Sequence, residues 1–370
     1  MLRILLISFI VIAGIHGLIH LLGFVAYWPL AKISELPYKT ALLGGRLDLG
    51  VTGMRVYSLL WLLAALGFVM AAIALALGKS FWAPLMLGAV LLSLVIGILD
   101  WSAAFRGVLI NLVLLLVLGV VLGLRVQPAP LPAYTAPSAP VQTVQFPSNL
   151  PKPVEQFYRL IYGDEIPVYT SAVFTARGTL RFMGITFPAR MRFIHLTGRG
   201  YRHYIETTFY GLPVLKVNEH YLDGHARLAL PFAVVEDDPR VDSAANHGLW
   251  GEMSFYPASL STDPRTRWEP VDDTTARLQV PFGEGEQVFT LYFDPQTGLL
   301  ARMETMRYHE KAGIVRWWGE GSRWMGLNGQ PVSVSFAATW EFEGTPWLVG
   351  EIEDAAFNTD VSAYIRQTGP

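Results

Sequence analysis

The chain has 370 residues, 52% of them hydrophobic and 16% charged, and its 28 Lys+Arg against 30 Asp+Glu leave a formal net charge of −2. No Lys/Arg-rich tract is present, so there is no basic field to hold nucleic acid. The absence of cysteine excludes disulfides, thiol catalysis and thiolate metal sites.

These averages conceal a division. Residues 1–126 are dominated by Leu, Val, Ile, Ala and Gly, and most of the charge lies beyond 150. A spanning helix needs about 20 mostly apolar residues, each rising ~1.5 Å through a hydrocarbon core of about 30 Å. Four segments qualify, roughly 4–28, 54–78, 82–100 and 106–125. The first is too long for a cleaved signal, and Tyr27-Trp28-Pro29 has the character of an interfacial anchor rather than a cleavage site. Tyr57, Trp61, Trp82 and Trp101 also fall near span ends, as an aromatic belt requires. Lys32, Lys39, Arg46 and Arg55 follow the first span and Arg106 the third, whereas Arg3, Lys79 and Arg125 lie on the opposite side. The larger set is expected in the cytoplasm, with the C-terminal part outside.

HGLIHLLGF, residues 16–24, puts His16 and His20 four apart inside the first span, on one helix face. Asp100 closes the third span on the inner side, and Asn111 lies about a turn and a half into the fourth. His16, His20, Asp100 and Asn111 are therefore expected to meet as an intramembrane polar cluster. Each such group is costly in hydrocarbon and needs a partner or a task. The pair could ligate a metal or an iron porphyrin, pass protons with Asp100, or hydrogen-bond between helices that Gly14, Gly17 and Gly23 let approach closely. A metal site needs further ligands, and no other histidine precedes His195. No metal or other cofactor is assigned.

Residues 127–153 are rich in proline and nearly uncharged, which predicts an extended, semi-rigid linker holding the next domain off the membrane. The expected division is thus a membrane block over 1–126, a linker over 127–153 and a β-rich domain over 154–370. A short helix is predicted over 153–162, and from about 171 the apolar period becomes two. In VSVSFAATWEF, residues 332–342, Val332, Val334, Phe336, Ala338, Trp340 and Phe342 form one face. Similar segments near 173–182, 188–196, 201–210, 213–221, 275–281, 287–293, 299–308, 313–321 and 347–353 are separated by turn-forming breaks. About ten strands predict one large, curved antiparallel sheet, a half-barrel. An interruption over 238–262 reads as a helix placed to cover the concave face. The fold class is α+β: an N-terminal four-helix transmembrane bundle followed by that sheet with its inserted helix.

The stretches HGLIHLLGF, LLWLLAAL (59–66), GEMSFYPASL (251–260), YFDPQTGLLARMETMRY (292–308) and GQPVSVSFAATWEFEGTPWLVGEI (329–352) resemble a family of uncharacterised bacterial membrane proteins. The resemblance implies a bacterial inner-membrane location and no particular activity. The family tends to carry Asp-Ala-Lys-Phe-Gly before its last helix; this chain has Ser102-Ala103-Ala104-Phe105-Arg106-Gly107 there, with the acidic group displaced to Asp100. In architecture the β domain is also similar to lipoprotein carriers of the LolA type, which implies an open barrel holding acyl chains under a helix.

No phosphate-binding glycine loop or nucleophile elbow occurs, and no catalytic residue is assigned. Glu252 stands out as a carboxylate among Trp250, Met253 and Phe255, where it would need a partner. Trp317, Trp318, Trp324, Trp340 and Trp347 crowd the last strands, as core packing or as the wall of an apolar trough. Trp250, Glu252, Trp318, Trp324 and Trp340 are the candidate ligand-binding residues. The leading expectation is a membrane-anchored extracytoplasmic domain that binds a hydrophobic ligand, a lipid or a lipoprotein acyl chain. A membrane oxidoreductase or transporter using His16, His20 and Asp100, and a sensor or assembly subunit binding a protein, are the alternatives.

Overall fold

The computed structural model describes residues 2–367 and divides into two compact units between Gly123 and Leu124. The first unit holds α1 (Leu2–Tyr27), α2 (Gly50–Ala76), α3 (Trp82–Leu99) and α4 (Trp101–Gly123). All four are long and apolar enough to cross a membrane. Small residues set how closely they pack. A Cβ on Gly17 would lie 2.7 Å from Phe68 Cβ, and one on Gly23 would lie 2.2 Å from the Trp61 ring, so α2 rests on the bare backbone of α1. Gly14, expected to do the same, has nothing within 4 Å of its added Cβ.

In the second unit, Pro at the helix start and an exposed Arg159–Glu155 pair frame α5 (Lys152–Tyr162), whose buried side is Val154, Phe157 and Tyr158. Thirteen strands then form one curved, unclosed antiparallel sheet. In chain order they are β1 (Ser171–Phe182), β2 (Ile185–Leu196), β3 (Gly200–Phe209), β4 (Leu212–Leu222), β5 (His225–Leu230) and β6 (Ala233–Glu236). After the insertion come β7 (Arg267–Pro270), β8 (Thr275–Phe282), β9 (Gly285–Phe293), β10 (Leu300–His309), β11 (Gly313–Gly321), β12 (Ser335–Trp340) and β13 (Leu348–Phe357). Their order across the sheet is 6-5-4-3-2-1-13-12-11-10-9-8-7.

Two meanders are therefore joined by the β1–β13 pairing, and the sheet's two edges, β6 and β7, are consecutive in the chain. The segment between them has to run from one edge to the other. It contains α6 (Pro239–Glu252) and short turns at Met253–Phe255 and Ser259–Thr262. Asp238 caps α6 by accepting from the Arg240 amide, and Pro239 opens it.

The predicted strands reappear with small changes at their ends. The segment expected as one strand over 332–342 is interrupted, because Val334 leaves the ladder to bond Arg323 and Ile352. Its apolar face is still buried from Val332 to Trp340, whereas Phe342 is exposed. Pro128, Pro130 and Pro132 lack amide donors, so this stretch contributes carbonyls as acceptors, whereas further on Gln142–Gln145 pairs with Glu165–Val168. Arg177 donates to Pro128 O at 3.0 Å, Arg190 to Ala129 O at 3.4 Å, and Arg192 to Pro132 O. Residues 128–132, within the segment expected as a linker, thus lie against Arg177 of β1 and Arg190 and Arg192 of β2.

Candidate functional site

In the helical unit, His16 Nε2 lies 3.0 Å from Asn111 Oδ1, and Asn111 Nδ2 donates to Ser93 Oγ at 2.7 Å. Ser93 Oγ lies 2.6 Å from His20 Nε2, and His20 Nδ1 lies 2.8 Å from the carbonyl of His16. A carbonyl only accepts, so Nδ1 of His20 carries the proton, its Nε2 accepts from Ser93, and His16 donates through Nε2 to Asn111. These hydrogen bonds all form with both imidazoles neutral, and His16 Nδ1 is buried without a partner among the described residues. Asp100 does not join this circuit. It caps α3, where a negative charge opposes the helix dipole, and is bound there by Lys39 and the Tyr27 hydroxyl. Of the four residues expected together, three share one network with Ser93, and Asp100 belongs to another.

In the β unit, pleating sends alternate residues to the concave side. Register pairs His195 with Tyr201, Phe193 with His203, and His203 with Glu219. These side chains consequently share the concave face, and α6 brings Glu252 onto it. His195 Nε2 and His203 Nε2 converge on one oxygen, Glu252 Oε2, at 2.9 and 2.6 Å. The Tyr256 hydroxyl lies 2.7 Å from His195 Nδ1, Glu219 Oε2 lies 3.7 Å from His203 Nδ1, and Tyr201 donates to Glu219 at 2.6 Å.

Electrostatics assign the protons. Burial opposes charge on His203, but the Glu252 carboxylate, aided by Glu219, outweighs it and raises the imidazole to about 9. Burial pushes Glu252 up, while the charge of His203 and the hydrogen bonds of both histidines bring it down to about 2. Glu219 is likewise held below its ordinary value: burial works against this, and His203 and Arg307 override it. Burial moves His195 below its ordinary value, so at neutral pH it is uncharged, donating through Nε2 and accepting from Tyr256. His203, Glu252, Glu219 and Arg307 thus balance in charge. One ligand atom each from His195, His203 and Glu252 lie within 4.8 Å of one another, a donor set able to hold a metal.

This polar group floors a cavity of about 290 Å³ between α6 and the sheet. Most of the wall is apolar: Leu180 and Phe182 of β1, Ile205 of β3, Val217 of β4, Leu228 and Leu230 of β5, Trp317 of β11, Phe336 of β12, and Trp347. Phe182, Val217, Leu228, Leu230 and Trp347 are only half-buried. The indole N–H groups of Trp317 and Trp347 find no hydrogen-bond partner among the described residues.

Among the residues predicted for ligand binding, Glu252 lines this cavity. Trp250 is 1% exposed in the core, Trp340 is buried beside Trp317, and Trp324 packs on Phe157 at 5.5 Å. Trp318 points the other way from Trp317, its ring 4.0 Å from the Arg302 guanidinium. His195, His203, Glu219 and Arg307 were not singled out by sequence reasoning. The inward-facing series Tyr201-His203-Ile205 and Val217-Glu219-Tyr221, each with an ionisable residue at its centre, is the signal that marks two of them.

The fold and this site define an α+β protein whose open antiparallel sheet is crossed by a helical insertion over a partly polar cavity. Residues 140–352 match the model of a family of unknown function (DUF6544), and the chain belongs to that family. No curated protein matches the chain. Among solved structures it is similar to a LolA superfamily protein from Nitrosomonas europaea, at 10% identity over 58% of this chain and 96% of that one, with a TM-score of 0.35. It is also similar to a DUF1329 family protein from Desulfovibrio piger, at 15% identity over 59% of this chain and 98% of that one, with a TM-score of 0.33. A lipoprotein-sorting protein domain from Vibrio parahaemolyticus has 13% identity, 58% and 94% coverage and a TM-score of 0.35.

Proposed function

We propose that the β unit binds one amphiphilic molecule, the acyl chain of a lipid or lipoprotein, while the four helices hold the unit at the bacterial inner membrane. The observation that carries this reading is the uncovered apolar wall. Val217, Leu228, Leu230, Phe182 and Trp347 are only half-buried around the cavity, although α6 covers the neighbouring part of the same face. A wall serving stability alone gains by closing; an apolar concavity with a few convergent polar groups is the usual form of a small-molecule site. The apolar chain takes the trough, and the polar end meets His203, Glu252 and Arg307. The helices supply anchorage, and the neutral His16–Asn111–Ser93–His20 circuit supports a role in holding them together.

A diazirine-bearing fatty acid, photolysed with the full-length protein in detergent, tests this by mass spectrometry of the adducts. Adducts are expected within 217–230 and 336–348, competed by unlabelled fatty acid and lost in Val217→Arg. Adducts confined to the four helices would sink the reading.

A further inference from the structure

The cavity floor carries more nitrogen and oxygen donors than an apolar ligand needs. His195, His203 and Glu252 come from β2, β3 and the end of α6, three elements brought together only by the fold. His195 is fully buried and His203 is 7% exposed. Both present Nε2 to the same carboxylate oxygen, at 2.9 and 2.6 Å. We propose that His195, His203 and Glu252 bind one divalent transition-metal ion, zinc above all, with the remaining coordination position on the cavity side.

The donor chemistry selects the ion. Two imidazoles and one carboxylate suit zinc and its neighbours in the first transition row, whereas calcium and magnesium prefer oxygen sets. Ligand bonds of about 2.1 Å in a tetrahedron put donors about 3.4 Å apart, so the ion enters when the contacts at 2.9 and 2.6 Å open by about 0.5 and ~0.8 Å. The groups behind the histidines are those a metal site requires. Tyr256 sits 2.7 Å from His195 Nδ1 and Glu219 lies 3.7 Å from His203 Nδ1, each able to accept from the ring nitrogen that faces away from the ion. His195 then carries its proton on Nδ1, and the ion takes the place of the proton on His203 Nε2. With His203 neutral, the dication and Arg307 together exceed Glu219 and Glu252 by one positive charge, which favours an anionic group at the open position. His203 and Glu252 both line the cavity while His195 lies behind them, which leaves the open position for water or an anionic group.

The full-length protein in detergent, free of affinity tag and stripped with a chelator, is titrated with Co²⁺ and then Zn²⁺. The expected result is one Co²⁺ per chain, with the visible absorption of a four-coordinate site, displaced by Zn²⁺. Zn²⁺ raises the unfolding temperature of the wild type. His203→Gln and Glu252→Gln each weaken binding more than tenfold, and His225→Gln, at an exposed turn, leaves it unchanged. Absence of both the Co²⁺ spectrum and the Zn²⁺-dependent rise in the wild type overturns the proposal without recourse to a variant. Binding that survives both glutamine substitutions overturns it equally and leaves the histidine–glutamate cluster a structural ion pair. The readouts involve no lipid, so failure of the acyl-chain reading would not affect them.

Discussion

On the outer side of β3, Glu206 is 4% exposed and accepts from the Tyr204 hydroxyl at 2.5 Å and from Arg190 Nε at 2.6 Å, with Lys216 Nζ 3.5 Å away. Burial pushes its carboxyl up, but the Tyr204 hydrogen bond and Arg190 outweigh burial, so the group ionises more readily in the folded chain. A depressed carboxyl stabilises fully above its unfolded value of about 4.3, and that contribution is lost as pH falls through and below it. Unfolding temperature measured against pH is expected to drop on the acid side. In Glu206→Gln the drop is shallower, with a loss of about 1–3 kcal/mol already present at neutral pH because Arg190 is left without its charge partner. Parallel curves for the two proteins would refute the assignment. At this same scale the sequence disclosed part of the site. Glu252 was legible because a carboxylate among Trp250, Met253 and Phe255 needs a partner. Its partners were not, since His195 and His203 are diagonal neighbours across a hairpin whose register only the folded sheet reveals. Trp317 and Trp318 are adjacent, and composition does not tell which one faces inward.

Among the elements, α6 has an unusual burden because it runs between the two edges of one sheet. Asn246 shows how it ties them. Its Oδ1 accepts from the Tyr221 hydroxyl on β4 at 3.0 Å, and its Nδ2 donates to Pro281 O on β8 at 3.0 Å and to Gln287 Oε1 on β9 at 2.8 Å. One side chain, 3% exposed, thus bridges both meanders. Asn246→Ala leaves the buried Tyr221 and Gln287 side chains and the half-buried Pro281 carbonyl short of a partner, for an expected cost of about 2–4 kcal/mol in chemical denaturation. Asp242→Asn, which keeps an acceptor for the Ala226 amide, should cost far less. Equal losses would mean that α6 is held by its apolar side instead. Here the strands were readable where period two persisted for about seven residues or more. His225–Leu230, Ala233–Glu236 and Arg267–Pro270 escaped because each is too short to establish a period, yet the last two are the edge strands that make the insertion cross the sheet.

For the molecule as a whole, the solvent of the first unit decides its sidedness. Leu18 is 56% exposed, Ile73 54%, Ile98 53% and Leu116 69%, so all four helices present apolar side chains outward. In water that band would drive aggregation; in a bilayer it is at home. Four crossings, as proposed, would return the chain to its starting side. Asp100, at the junction of α3 and α4, is bound by Lys39 from the loop between α1 and α2, so that loop and that junction share one end of the bundle. By sequence position Lys32, Lys39, Arg46, Arg55 and Arg106 fall toward this end, against Arg3, Lys79 and Arg125 toward the other. On the proposed reading, the positive-inside preference predicts this end in the cytoplasm and the β unit outside. The chain has no cysteine, so single substitutions report without background. In spheroplasts a membrane-impermeant maleimide is expected to label Thr297→Cys, in an exposed turn of the β unit, and to label Ser34→Cys only after lysis. The reverse pattern would put the cavity in the cytoplasm, where its acyl chain would have to come from the inner leaflet. Labelling of both before lysis would contradict a four-span membrane domain altogether.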